Sequence, residues 1–401
     1  MNNRYYGNRA AGSAGFGFWV NPPLHSTGSN VDSNFCPREI PPLEFRDNSA
    51  HSCGVYGLWI FEQYHPRKNN FQGDCNSANG LAGADHPMET FTSWGNSRGI
   101  EFTDGSGLHM KGFVAADNSI SQLACKETER IDNFEDDSTT FVNSVLIGRS
   151  GSHPTLGNTC SSFGFETPWK KGSFRVNGAK FYNFDGTNGQ CRAIDYCYGS
   201  YPFDCGRISL WERIVWDNSP RKGHFDWEFE TILWDLDGSL SETGNPNTKI
   251  VPKSSLYTPH CVDHANSGWD LGFEAQLCDA DAHYHRISIE NIDPGSLNSV
   301  NLIVNNGGDD ARVPWREKRG DSGRAWMYLN LMDRDSELHF DTFYNLPNIT
   351  FSLKTNYDNP GHYSNLYFDL LNQPDLIRIV YELIVAHQNR WRRVCDSIAL
   401  I

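Results

Sequence analysis

Thr231 to Gly244 reads TILWDLDGSLSETG, an apolar run that closes on Asp235-Leu-Asp237-Gly-Ser. An aspartate at the tip of a buried strand can attack a phosphoryl group. The same two carboxylates around a glycine-bearing turn also supply oxygen ligands of the kind calcium takes, although the closing glutamate of a full EF-hand loop is missing. A third reading needs no ligand: Asp side chains at a strand end accept backbone N–H bonds and stabilise a tight turn. The turn is the simplest of the three, and calcium through Asp235 and Asp237 is carried as the metal expectation.

Other residues invite chemistry too. His260, Cys261, His264, Cys278, Asp279, Asp281, His283 and His285 have the composition of a zinc site. The simpler account is a Cys261–Cys278 disulfide with His283 and His285 on one face of a strand. His51 suits a sugar contact or an acid–base role, against the plainer role of a turn residue hydrogen-bonded into its neighbours. Three segments join an aromatic ring to cations, the combination that stacks on sugars and holds uronate carboxylates. They contain Trp169, Lys170, Lys171 and Arg175; Arg221, Lys222, His224 and Trp227; and Trp315, Arg316, Lys318 and Arg319. Each is a glycan-binding candidate only if the fold brings it to a common face, and otherwise a solvated loop.

The elements that must position these residues come from a repeat. GNRAAGSAGFGFWV from Gly7 aligns without gaps on DNSAHSCGVYGLWI from Asp47, pairing Asn8 with Asn48, Phe16 with Tyr56 and Trp19 with Trp59. Weaker copies follow at Asn96 and Asn118, one step of 22 residues apart, and Asn48 is expected to belong to the same series. Short strands lead into several of these asparagines, the pattern of a parallel β-helix whose coils turn on a ladder of Asn. Val20 to Pro42 and Tyr64 to Pro87 are rich in Pro, Asn and Gly and read as loops leaving one face. Past Gly244 the repeat fades into separate strands, and Gln373 onward has helical periodicity. A phosphatase of the haloacid-dehalogenase type would need strands alternating with helices, a lysine and a later acidic pair. Asp235 instead follows a long series of repeated strands, and Asp309 and Asp310 are followed by Val313.

Bulk properties agree. The chain has 401 residues, 12 Trp, 16 Tyr and 24 Phe and only 21% charged residues, which suits strands joined by tight turns. A net charge of −15 opposes binding to nucleic acid or anionic membranes. No run of 18 apolar residues is present to insert in a bilayer, and the first residues lack a signal-peptide pattern. The eleven cysteines include no CxxC pair, so scattered disulfides in an oxidising compartment are expected. Cys191, Cys197 and Cys205 are expected to form a local cluster, with Cys395 as the odd thiol. Asn348-Ile349-Thr350 is the single glycosylation sequon.

GNRAAGS with GFGFWV, LEFRDNSAHSCGVYGLWIF, TFTSWGNSRGIEFTDGSGLHMKGFVAADNSI, VNSVLIGRSG and LWDLDGSLSETG with PHCVD occur here in order, from Asn8 to Pro294. Together they resemble the β-helix of the cell migration-inducing, hyaluronan-binding protein, the transmembrane cell-surface hyaluronidase and, more distantly, the fibrocystins. The resemblance implies an extracellular right-handed parallel β-helix, with hyaluronan binding and depolymerisation in two branches and a non-enzymatic, receptor-like role in the fibrocystin branch. The eight-glycine domain that precedes the β-helix in those proteins is expected to be missing here, and with it most residues tied to hyaluronidase activity. The expectations are therefore an all-β chain: a right-handed parallel β-helix over 1–245, a β-rich unit over 246–365 and a helical tail over 366–401. It would bind hyaluronan or another extracellular glycan and possess or lack depolymerising activity. The alternative is a non-catalytic, fibrocystin-like structural or receptor ectodomain.

Overall fold

The computed structural model describes residues 4–40, 44–66, 87–105, 107–127, 139–151, 160–167, 174–186, 191–196, 208–225 and 232–253. It also describes Cys75 and short stretches between 260 and 399. Three parallel sheets are built coil by coil. The first sheet takes Arg4–Tyr6, Glu44–Arg46, Met88–Glu89, His109–Lys111, Thr139–Val142, Phe174–Asn177, Ile208–Glu212 and Ile232–Asp235. The second takes Arg9–Ala11, Ser49–His51, Thr92–Trp94, Val114–Ala116, Val145–Ile147, Lys180–Tyr182 and Val215–Asp217. The third takes Phe16–Val20, Tyr56–Tyr64, Arg98–Gly105, Ser121–Glu127, Phe163–Thr167 and Arg192–Tyr196. Strands of three residues cannot hold a sheet alone, so the coils persist only because each strand is hydrogen-bonded to the coil before and after it.

Two columns of left-handed residues turn the chain from sheet to sheet. Gly7, Asp47, Thr90, Gly112, Asn143, Gly178 and Arg213 all have positive φ at the first corner, and Gly12, Ser52, Gly95, Asp117, Asn183 and Asn218 at the second. Gly, Asn and Asp tolerate that conformation. The β-branched Thr90 is the costly case, and its hydroxyl donates to Asp47 Oδ1 at 2.7 Å while accepting the Asp47 N–H at 2.9 Å. Corner N–H groups continue the ladder, as in Gly112 N to Val142 O and Asn143 N to Asn177 O, both 2.8 Å.

The asparagine ladder differs from the sequence expectation. Asn8 donates its backbone and side-chain N–H to Asn48 Oδ1, each at 3.0 Å, at the first corner. Asn96 donates in the same way to Asn118 Oδ1 at 3.0 Å, but at the second corner. Asn48 and Asn96 therefore belong to different columns, and the first corner continues with Phe91 and Phe113, both fully buried. What persists at the turn is backbone conformation; the following side chain is free to vary with the local volume.

That volume is shared across the corner. Phe91 and Phe113 are followed two residues later by Ser93 and Ala115, whereas Ser144 and Ala179 are followed by Leu146 and Phe181, all buried. A large ring on one strand thus faces a small residue on the next, which keeps the interior at close-packed density. The inward position of the first sheet holds Phe45, Met88, Met110, Phe141, Val176 and Trp211 in one register column.

Cross-links join neighbouring coils. Cys36 in the loop after the first coil is bonded to Cys75, Cys160 to Cys191 just ahead of adjacent third-sheet strands, and Cys261 to Cys278. Cys191 therefore pairs upstream rather than within the expected local cluster; Cys197, Cys205 and Cys395 lie outside the described residues. The first sheet also continues past residue 245, through antiparallel Thr248–Pro252, Ala275–Cys278 and Cys261–Asp263. From Tyr284 on, two five-stranded sheets follow. In the segment expected to be a helical tail, the described residues are strands: Asn365–Asp369 pairs with Ile379–Glu382, and Ile398–Ala399 with Thr350–Tyr357. The Ile-Val-Tyr run suits a strand with a partner better than an isolated helix.

Phe113→Ala is expected to lower unfolding free energy by about 3–5 kcal/mol in urea titrations. Adding Ala115→Leu is expected to restore part of that loss, because the two positions share one volume.

Candidate functional site

Asp235 pairs in register with Trp211 and so continues the core column as its seventh member. It is fully buried. One carboxylate oxygen accepts N–H bonds from Gly238 at 3.0 Å and Leu240 at 3.2 Å, and the other accepts the Ser241 N–H at 2.8 Å and its hydroxyl at 2.7 Å. Asp237 accepts the N–H of Arg213 at 2.7 Å, the bond that Gly178 in the preceding coil gives to the backbone of the next. Ser239 Oγ accepts the Ile214 N–H at 2.8 Å. Gly238 has φ +79°, and a Cβ there would meet Asn245 N at 2.4 Å. The motif is therefore an end-cap: side-chain oxygens stand where another coil's carbonyls would, and the chain leaves the parallel ladder antiparallel.

Burial pushes the Asp235 carboxyl above its ordinary value, against the bonds from Ser241 and Leu240. Burial acts upward on Asp237 as well, but bonds from Ser239 and Arg213 outweigh it and the net shift is downward. Both Asp235 oxygens are engaged, which leaves no lone pair aimed at a phosphoryl group. Calcium would have to displace the same donors, and among the described residues no three His, Cys, Asp or Glu side chains gather as a metal site.

The outer surface of the third sheet has a different character. Phe16 and Trp19 of the first coil stack on Tyr56 and Trp59 of the second, with Phe16–Trp59 centroids 4.8 Å apart and Trp19–Trp59 5.8 Å apart. Phe61 lies 4.4 Å from Trp59, and Trp19 is 53% exposed. Beyond the rings the two columns run Arg98, Ser121, Phe163 and Arg192, and Glu101, Ala124, Glu166 and Asp195, and the three acids are buried. Arg98 Nη1 lies 3.1 Å from Glu101 and 3.8 Å from Glu166, and Arg192 Nε lies 2.9 Å from Asp195. Burial and its hydrogen bond to Glu101 push the Tyr56 phenol well above its usual range. The result is a shelf of rings running into a paired cluster of three carboxylates and two guanidinium groups.

The residues proposed from sequence lie elsewhere. His51 sits in a second-sheet strand, its ring stacked on Trp94 at 4.4 Å and its Nδ1 3.1 Å from Ser52 Oγ. Arg175 faces Glu212 across the first sheet, with Nε 2.9 Å from Oε1. Lys222 is buried against Glu242 and the Trp216 ring, next to Arg221. His224 begins a short strand paired with Leu271–Gly272. Arg175 and Lys222 are each committed to an acid, on different parts of the coil. Arg316 lies in a strand of the C-terminal sheets. Trp169, Lys170, Lys171, Trp227, Trp315, Lys318, Arg319 and Asn348 lie outside the described residues, as do Asp281 and His283. His260 is 3.3 Å from Asp279, and burial pushes His264 below its usual value.

A sequence signal for the shelf exists. GFGFW over VYGLW places aromatic residues three apart in consecutive coils, and Arg98-Gly-Ile-Glu101 recurs as Arg192-Ala-Ile-Asp195. In the first two coils the residues three apart pack ring against ring, Phe16 with Trp19 and Tyr56 with Trp59.

Comparison with known proteins follows the fold. The CEMIP beta-helix family model matches residues 1–58. Mouse fibrocystin-L is 30% identical over 390 residues, covering 94% of this chain and 9% of that protein. Human fibrocystin-L is 28% identical over 387 residues, with the same coverage, and dog fibrocystin is 27% identical over 340 residues, covering 84% of this chain and 8% of that protein. The chain thus spans less than a tenth of the length of these relatives.

Asp235→Ala is expected to cost about 3–5 kcal/mol, since it strands three buried N–H donors. Against Asp235→Asn the pH dependence has a defined sign. The folded carboxyl titrates above the ordinary value of 3.8, so the wild type gains stability relative to the Asn variant as pH falls through that raised value and levels off below 3.8. Thermal unfolding of both proteins between neutral pH and pH 3 measures it.

Proposed function

Because the chain belongs to the β-helix family of CEMIP and the fibrocystins, we propose that it is an extracellular β-helix that binds an extended glycan on the outer face of its third sheet, without cleaving it. The observation that carries this reading is the ring shelf of Phe16, Trp19, Tyr56, Trp59 and Phe61, on which Trp19 is 53% exposed. Flat apolar rings suit the apolar face of a pyranose. Among the described residues, three disulfides suit an oxidising compartment. Among the described residues no helix is long and apolar enough to cross a membrane.

The binding-only form of this proposal, a fibrocystin-like ectodomain, draws support from the extent of similarity: fibrocystin-L covers 94% of the chain, whereas the CEMIP model covers residues 1–58. It also draws support from the carboxylates. Glu101 and Glu166 share Arg98, whereas hydrolysis needs one carboxyl directed at the glycosidic oxygen and another at the anomeric carbon or its water. Hyaluronan, the polymer that the family resemblance brings forward, is the reference ligand for testing.

The purified chain, Trp19→Ala and Trp59→Ala are to be passed over immobilised hyaluronan and a panel of immobilised neutral glycans. The expected outcome is retention of the wild type on at least one matrix, weakened roughly tenfold by Trp19→Ala. Equal behaviour of wild type and both variants on every matrix would remove the proposal. Size-defined hyaluronan is expected to keep its length after incubation; shortening that Glu101→Gln abolishes would contradict binding without cleavage.

A further inference from the structure

We infer that the connection Arg319-Gly320-Asp321-Ser322 docks this chain on a cell-surface receptor that holds a divalent cation. In that complex Asp321 is a ligand of the receptor's metal and Arg319 pairs with a receptor acid. The inference goes beyond glycan binding and uses only the extracellular setting of the reading above.

The placement comes from the C-terminal sheets. Arg316–Glu317 runs antiparallel to Ala325–Met332, with Arg316 opposite Trp326 and Glu317 opposite Ala325. Residues 318–324, Lys-Arg-Gly-Asp-Ser-Gly-Arg, therefore join two paired neighbours. Arg319 to Ser322 lie outside the described residues; the strands that hold the ends of the connection are described. Facing residues of an antiparallel pair have Cα atoms about 5 Å apart, so Glu317 and Ala325 pin both ends. A short connection pinned in this way loses less conformational freedom on binding than a free peptide does. Arg316–Glu317 is also the edge strand of its five-stranded sheet, and connections between strands are where recognition sequences are carried.

The residue types fit that partner. Magnesium is held through one or two carboxylates and keeps several waters, so a receptor-bound ion has positions that an incoming aspartate can take. A guanidinium pairs with a carboxylate through two parallel N–H···O bonds. In Arg-Gly-Asp the two charges are two residues apart, and residues i and i+2 of an extended segment share a face. Glycine between them carries no side chain to hold a receptor off. From 316 to 324 the sequence sets Arg316, Lys318, Arg319 and Arg324 against Glu317 and Asp321. In a chain of net charge −15 this is a basic island, which steers toward the acidic surroundings of a receptor's metal.

Adhesion of cells that spread on an immobilised Arg-Gly-Asp-Ser peptide, measured on surfaces coated with the intact chain, tests this. The expected result is adhesion that needs magnesium or manganese, is blocked by the soluble peptide and falls at least about tenfold with Asp321→Glu. That substitution keeps the charge and lengthens the side chain, so it displaces the carboxylate without changing the electrostatics; circular dichroism shows that the variant is folded. Trp19→Ala, on the ring shelf, is expected to support adhesion like the wild type. No adhesion to the wild type, or adhesion that Asp321→Glu leaves intact, would overturn the inference. Adhesion that survives chelation and disappears at high salt would also overturn it, as attraction of the basic island to a polyanion. Loss with Trp19→Ala alone would assign adhesion to the ring shelf, overturning the inference and leaving the glycan-binding reading in place.

Discussion

A single backbone constraint organises the molecule: each coil must turn sharply at two corners, and at all the described turns but that at Gly148 a left-handed residue makes the bend while the stacked coil takes up corner N–H groups. Seven such residues align at the first corner and six at the second. The conformation costs energy at a non-glycine residue, of order 1–3 kcal/mol, and is retained because the stacked neighbour fixes it. Asp47 and Thr90 show this most plainly, since each supplies a hydrogen bond that holds the other's turn. Interior side chains then adjust in pairs, a ring at the corner against a small residue in the following strand.

A ladder of that kind has to end, and the way it ends explains the acidic motif. Asp235, Asp237 and Ser239 provide acceptors at positions where the ladder would otherwise present another coil. The motif resembles a nucleophile and its partner only in one dimension. In three dimensions Asp235 is buried and both aspartates accept backbone N–H bonds, and Lys222 ties the far side of the loop through Glu242.

The architecture was legible from the sequence because it repeats: the alignment of Phe16 with Tyr56 and of Trp19 with Trp59 is the register of the third sheet. The asparagine count was misleading because one residue type serves two corners, and Asn48 and Asn96 have the same flanking chemistry for different bends. The site was less legible for a physical reason. Basic segments such as Arg175 and Lys222 look available in a string of letters, and the fold pairs each with an acid far along the chain, Glu212 and Glu242. Conversely, Arg98 and Glu101 look like unremarkable strand residues until stacking sets them beside Glu166 and below the ring shelf. The C-terminal segment read as helical because its apolar spacing fits 3.6 residues, yet Ile379–Glu382 finds a strand partner in Asn365–Asp369, and pairing outweighs periodicity.

The three outer faces of the coil are chemically distinct: ion pairs on the first, Trp94 and aliphatic residues on the second, rings and acids on the third. The third is the face proposed to recognise a ligand. Indole N–H resonances of the intact chain, followed by NMR during titration with an N-acetylglucosamine oligosaccharide, test that assignment most directly. Movement of the Trp19 and Trp59 signals with Trp94 and Trp216 unmoved is the predicted result; movement of Trp94 with Trp19 and Trp59 unchanged would contradict it.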